Sequence, residues 1–183
     1  ETLKKINGMF AFAIWNRETK ELILARDHVG QKPLYYGWIN QNFYFASELK
    51  SLKAHPNFVS QIDKISIQNL LEYNYIPGHR SIYKNIKKLM PGSYLIVSSD
   101  QKKNEDLRAV KYWKTNTKSD NIDLNRDQNY YQDELEKLLL KSVKSQMLSD
   151  VSLGSFLSGG IDSSLITALL QSQSDSKIKT FTI

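Results

Sequence analysis

At 183 residues with a formal net charge of +6 and no cysteine, the chain has room for one medium domain or parts of two, and it excludes disulfides, zinc–thiolate sites and a thiol nucleophile. No apolar run is long enough to cross a membrane and the N-terminus does not read as a signal peptide, so the expectation is a cytoplasmic protein that binds no membrane. The lysines are dispersed, with small groups at Lys4-Lys5, Lys87-Lys88 and Lys102-Lys103; this reads as a solvated face, not the dense, aromatic-interleaved stripe that a nucleic acid needs.

In chain order, Glu1 to Lys5 resembles a helix end. Met9 to Trp15 is a strand with little polarity on either face, of the kind that lies between two layers. The polar loop Asn16 to Lys20 returns the chain into Glu21–Ala25 as the partner strand. A turn over Arg26 to Pro33 leads to Leu34–Trp38, and a turn over Asn40 to Asn42 leads to Phe43–Ala46. Four closely connected strands predict one antiparallel meander. Ser47 is placed to cap a short helix through Glu48, Leu49 and Leu52. His28, His55 and His79 show no metal-ligand spacing and read as solvated or turn positions.

Asn7 to Ala13, Ala25 to Tyr36 and Ala46 to Leu52 together resemble the later part of a class II glutamine amidotransferase domain. More narrowly, they resemble the glutaminase half of the glutamine-hydrolysing asparagine synthetase family. Within these motifs Arg26, Asp27 and Glu48 read as hydrogen-bonding residues that fix turns, not as chemical groups.

Asp63 is a cap for a helix carrying Ile67, Leu70, Leu71 and Tyr75, stopped by Tyr75-Ile76-Pro77-Gly78. Ser81 to Leu89 leads to the turn Met90-Pro91-Gly92, where the family tends to have Pro-Pro-Gly, and Ser93–Val97 is a strand. From Ser98 to about Gln128 the chain is polar, with only Val110, Tyr112 and Trp113 anchored, and reads as an interdomain linker with one short strand. A helix follows whose apolar face is Tyr131, Leu135, Leu138, Leu139, Leu140, Val143 and Met147.

Val151 to Leu157 has strand character, and Leu165, Ile166, Leu169 and Leu170 are spaced for one face of a helix. Between them runs Ser158-Gly159-Gly160-Ile161-Asp162-Ser163-Ser164. Two glycines permit a sharp turn and a close ligand approach, and Asp162, Ser163 and Ser164 are good N-cap types. Unpaired N–H groups and the positive end of a helix dipole bind phosphate. The run resembles the pyrophosphate loop of ATP pyrophosphatases, and no Gly-Lys-Ser/Thr follows to make it a Walker loop. Lys177 to Ile183 reads as a second parallel strand after a helical crossover.

The resemblance implies an α+β then α/β architecture: residues 1–98 as the later part of an Ntn-type antiparallel αββα glutaminase domain, 99–128 as linker, and 129–183 as the start of a parallel PP-loop domain of the adenine nucleotide alpha hydrolase type. It also implies ATP, Mg²⁺, glutamine and aspartate or another carboxylate as partners, with a homodimer of the full-length protein. ATP would meet Phe156, Leu157, Ser158, Gly159, Gly160, Asp162, Ser163, Ser164 and Ile183. Phe156 and Ile183 would be apolar walls for adenine, or plain core. Asp162, of the wrong charge to touch phosphate, would brace the loop as a cap or act through Mg²⁺.

The family's glutaminase nucleophile is an N-terminal cysteine. None is present here, so no catalytic residue for that half is assigned, no glutaminase activity is expected, and the chain reads as an internal fragment. The leading expectation is ATP-dependent amidation of aspartate through an acyl-adenylate. The alternatives are an amidotransferase for another carboxylate, in surface-polysaccharide or secondary metabolism, and a non-catalytic nucleotide-binding remnant. A tRNA-modifying ATP pyrophosphatase would share the loop but lack the upstream motifs.

Overall fold

The computed structural model describes residues 1–103, 107–115 and 127–182, in two compact units, Glu1–Thr117 and Lys118–Ile183. The architecture is mixed α/β with antiparallel sheets in the first unit. Among the described residues no helix is long and apolar enough to cross a membrane.

The first unit opens with a 3₁₀ turn at Thr2–Lys4, followed by β1 (Ala11–Asn16), β2 (Glu21–Arg26), β3 (Tyr35–Ile39) and β4 (Asn42–Ala46). Two short helices, α1 (Leu49–Lys53) and α2 (Lys64–Tyr73), precede β5 (Ile86–Lys88), β6 (Ser93–Ser98) and β7 (Val110–Lys111). The β1–β2 hairpin is fixed locally. Asn16 Oδ1 accepts the N–H groups of Glu18 (2.9 Å) and Thr19 (3.3 Å), and Lys20 takes the left-handed conformation that closes the loop.

The predicted four-stranded meander is wrong. The strands divide into two antiparallel sheets, ordered β1-β2-β6-β7 and β4-β3-β5. β2 does not fold back onto β3 because the connecting segment is not a hairpin turn. The Asp27 carboxylate gathers N–H groups from Gln31 and Lys32 at 2.9 Å each and from Phe10 at 3.4 Å. The Arg26 guanidinium donates to the carbonyls of Lys32 (2.7 Å), Leu89 (2.6 Å) and Gly30 (2.7 Å). β2 instead pairs with β6, setting Leu22 opposite Val97 and Leu24 opposite Leu95. Leu24, Leu34, Tyr36, Leu89, Leu95 and Val97 are buried in one cluster to which both sheets contribute.

β1 is an edge strand, not the covered strand its composition suggests: Ile14 and Trp15 are exposed. α2 is likewise exposed at Ile67, Leu70 and Leu71, and its one buried residue is Ser66. Asp63 is at its N-cap as expected, but its carboxylate accepts the Ser66 hydroxyl (2.8 Å) and Arg80 (3.0 Å). The helix ends at Asn74 in the left-handed conformation, one residue before Tyr75. α1 is capped at Glu48, not Ser47, and the Glu48 carboxylate pairs with exposed Lys50 without fixing the turn. Tyr112 donates its hydroxyl to the Arg26 carbonyl (2.8 Å), and Trp113 and Tyr112 both contact the ring of His28, which lies in a turn as expected but is half-buried by this packing.

Close approach, not turning, explains Gly37 in β3. A Cβ there would lie 2.1 Å from the Asn85 carbonyl oxygen and 2.8 Å from Ile86 Cδ1. Backbone cannot give way as a side chain can. Gly37→Ala is expected to lower stability by about 2 kcal/mol by displacing β5 from β3. A thermal melt of the variant that matched the parent would contradict this.

The second unit contains α3 (Gln128–Gln146), β8 (Gly154–Phe156), α4 (Ile161–Ser172) and β9 (Lys179–Phe181). β8 and β9 pair in parallel, with α4 as the crossover, as the sequence predicts. α3 packs on α4, burying Val143 and Leu169, while Tyr131, Leu135 and Leu138 of the expected apolar face are exposed. β8 is shorter than the expected Val151–Leu157 strand, and Val151 is exposed. Of the polar segment read as linker, residues 104–106 and 116–126 lie outside the described residues.

Candidate functional site

The glycine loop joins the end of β8 to the start of α4. Its strand side is anchored by β9: Leu157 N–H donates to the Phe181 carbonyl (2.8 Å), and Thr182 Oγ1 donates to the Leu157 carbonyl (2.8 Å). Its helix side is anchored from within. The buried Ser155 hydroxyl meets Thr167 Oγ1 at 2.9 Å, and Thr167 donates to the Ser163 carbonyl at 2.7 Å. This Ser155–Thr167 strut ties strand to helix directly under the loop. Sequence reasoning did not identify it, although the four-residue spacing of Ser163 and Thr167 on one helix face is a visible signal.

Gly159 makes the turn with φ +81°, in the left-handed region where a side chain is strained. Gly160 follows with φ −80° and is the N-cap of α4. This corrects the expectation for Asp162. It is the second residue of the helix, its first-turn acid, and α4 has no side-chain cap at all. The hydroxyls of Ser163 (3.1 Å) and Ser164 (2.8 Å) instead bond back to the Gly160 carbonyl. Ser163 Oγ also accepts the Ser158 N–H (3.3 Å) and lies 3.1 Å from Ser158 Oγ. The loop is therefore braced by serines, and Asp162 is free to face outward.

Ser158, Gly159, Gly160, Asp162 and Ser164 are all exposed. No atom lies within 4 Å of a Cβ built on Gly159, and on Gly160 the nearest is Ser158 Oγ at 3.7 Å. The first-turn N–H groups of Ile161, Asp162 and Ser163 have no helical carbonyl to reach. Such donors beside two neighbouring hydroxyls and a helix N-terminus, with open space above the glycines, can receive a phosphate-sized anion. Phe156 is 72% exposed, so it is not core. Leu157 is half-buried behind the loop. Ile183, assigned with Phe156 to the adenine side, lies outside the described residues.

Arg26, the last residue of β2, and Asp27, in the turn that follows, act on backbone, as the sequence suggests. Burial alone would raise the Asp27 pKa, but backbone N–H groups of Lys32, Gln31, Phe10 and Gly30 together hold it below the usual carboxylate value.

The sequence profile described as "Glutamine amidotransferase domain" matches residues 1–113, and that described as "Asparagine synthase" matches residues 134–183. Asparagine synthetase [glutamine-hydrolyzing] 1 of Bacillus subtilis (strain 168) is 38% identical over 183 residues, all of this chain and 27% of the relative. Putative asparagine synthetase [glutamine-hydrolyzing] 2 of Methanocaldococcus jannaschii is 36% identical over 186 residues, all of this chain and 35% of the relative. Amidase chyE of Penicillium rubens is 30% identical over 171 residues, 92% of this chain and 24% of that protein. The chain thus spans about a quarter to a third of the length of these relatives.

Proposed function

The chain belongs to the glutamine amidotransferase domain family, matched over residues 1–113, and from that membership we propose that it is part of a glutamine-dependent asparagine synthetase. Residues 134–183, which match the asparagine synthase profile, would belong to the ATP-using half of that enzyme. The single observation that carries the reading is the Ser158–Ser164 loop, held open between β8 and α4 and lying downstream of the amidotransferase region.

The chemistry begins with a carboxylate, whose oxygen is a poor leaving group. A carboxylate oxygen of aspartate attacks the α-phosphorus of ATP, the bond to the β-phosphate oxygen breaks, and pyrophosphate leaves. Ammonia released from glutamine attacks the acyl carbon, AMP departs and the nitrogen loses a proton. The loop's share is electrostatic: charge grows on the pyrophosphate as the α–β link breaks, and fixed donors aimed there stabilise it.

Backbone N–H groups of Ile161 to Ser163 and the Ser158 hydroxyl would hold the pyrophosphate, and the Ser163 hydroxyl would join them by turning away from the Gly160 carbonyl. The exposed ring of Phe156 would offer an apolar face to adenine. Asp162 is a single outward carboxylate, which fits Mg²⁺ shared with phosphate oxygens and water; the ion would neutralise phosphate charge. Similarity to a protein named an amidase, not an asparagine synthetase, supports a second reading in which the acceptor is another carboxylate.

Incubation of the complete protein with ATP, aspartate and either glutamine or free ammonia tests this. AMP, pyrophosphate and asparagine are expected in equal amounts from both nitrogen sources. A requirement for a different carboxylate would favour the second reading, and ADP with orthophosphate in place of AMP with pyrophosphate would overturn both.

A further inference from the structure

We propose that the cleft between β3 and the segment leading into β5 binds a small polyanion, carrying phosphate or carboxylate groups, through Lys84, Lys87, Lys103 and the indole N–H of Trp38. The cleft has a volume of about 190 Å³ and is walled by those four residues with Tyr36 and Leu107. Among the described residues no Asp or Glu lines it.

Lys87 and Lys103 come from two lysine pairs that read as solvated surface when taken one at a time. Folding brings one member of each to the same cleft, with Lys84 as a third. Lys88, the neighbour of Lys87, is used differently: its ammonium reaches the Ile76 carbonyl. Arg80, nearby, is neutralised by Asp63 at 3.0 Å. Among the described residues Lys84, Lys87 and Lys103 have no such carboxylate. Three like charges around one concavity repel one another, and a bound anion relieves that repulsion.

Trp38 is the second, independent observation. Its Nε1 is buried and has no acceptor. Indole nitrogen only donates, and buried donors are nearly always paired. Trp38 also lines a smaller cleft of about 60 Å³, with Asn85 and Lys103 likewise common to both. The larger cleft has room for roughly six waters' volume, which suits a diphosphate or a tricarboxylate; whole-nucleotide ligands occupy about 300 Å³ or more. The site lies wholly in the first unit and is independent of the glycine loop.

Tryptophan fluorescence tests it on the 183-residue chain. All three tryptophans, Trp15, Trp38 and Trp113, precede the glycine loop's unit, so anion binding at that loop contributes no intrinsic indole signal of its own. Pyrophosphate and citrate are titrated at low salt, with acetate at matched ionic strength as control. A saturable change with at least one polyanion is expected, weakened about 10-fold or more in Lys84→Ala/Lys87→Ala, the loss of one favourable charge interaction or more. Calorimetry on Trp38→Phe should also show weaker binding. Response to pyrophosphate alone identifies a phosphate ligand, to citrate alone a carboxylate ligand, and to both a site that reads charge. Lys84 and Lys87 are exposed, so the variant keeps its fold, and Lys103→Ala gives a second, separate charge removal. No response beyond acetate, or affinity unchanged in the folded lysine variants, overturns the proposal.

Discussion

Gly160→Ala is expected to slow the ATP-dependent step of the complete enzyme by about 10²–10³, the loss associated with one misaligned donor at a developing oxyanion. Folding should be little affected. Gly160 has φ −80°, which any residue adopts, and its Cβ would meet nothing nearer than Ser158 Oγ at 3.7 Å. The remaining structural effect is the weaker N-cap preference of alanine, about 1 kcal/mol. The added methyl would instead project into the space proposed for phosphate.

Gly159→Ala is the matched control. It adds a Cβ in equally open space but at φ +81°, so it should lose about 1–2 kcal/mol of stability along with rate. Asp162→Ala should be the mildest structurally, because that carboxylate is not the cap; it forfeits the helix-dipole interaction, about 0.3–1 kcal/mol. Pyrophosphate release and melting temperature, measured on all three, separate the ligand effect from the backbone effect. Full pyrophosphate release by Gly160→Ala would take the loop out of the mechanism.

Asp27→Asn is expected to destabilise the first unit by about 3 kcal/mol, the scale of hydrogen bonds to a charged group lost together with a mispaired donor. Asp27 is 1% exposed and both of its oxygens accept, Oδ1 from Gln31 and Oδ2 from Lys32 and Phe10. An amide in that place turns an NH₂ toward backbone N–H groups on one side. For a unit of this size the melting temperature should fall by roughly 10–15 °C.

The charge also sets a pH signature. The folded-state pKa of Asp27 is depressed, so its stabilisation is complete above the ordinary carboxylate value near ~3.9 and is lost as pH falls through the folded value. The stability gap between parent and Asp27→Asn should therefore narrow in acid, below about pH 4. A gap that is small at neutral pH, or that widens in acid, would show that the carboxylate does not hold this turn.

What the sequence made legible was local. Asn16 announces the hairpin loop, and its side chain caps the backbone there. The serine–glycine run lies between an apolar segment and a periodic one, and a strand, loop and helix occupy those places. Lys179–Phe181 pairs in parallel with β8, as its position after a helix requires. Sheet membership was not legible, because β2 chooses its partner through Leu24 and Leu95, far apart in the chain. Nor was Asp162's position: capping preference ranks residue types, while the placement of the turn at Gly159 shifted the cap to a glycine. The Trp38 cleft escaped notice for the same reason, since lysines taken pairwise carry no record of which others they meet.

The long separation of β2 and β6 also bears on how fast the first unit assembles. The β1–β2 and β3–β4 hairpins close over a few residues and can form on the microsecond scale. Docking β6 beside β2 must close a far larger loop: the Arg26–Leu89 bond spans 63 residues and the Tyr112–Arg26 bond spans 86. The entropy of those closures is spent before their contacts form, so the docking of β6 is expected to be slow beside hairpin closure. Until β6 arrives, β2 exposes one unpaired side and the leucines that later meet Leu95 and Val97. The rate-limiting event in folding is therefore expected to be the capture of β6, with the turn at Asp27 holding β2 ready for it through Gly92 N–H, which bonds the Asp27 carbonyl at 2.8 Å just ahead of that strand.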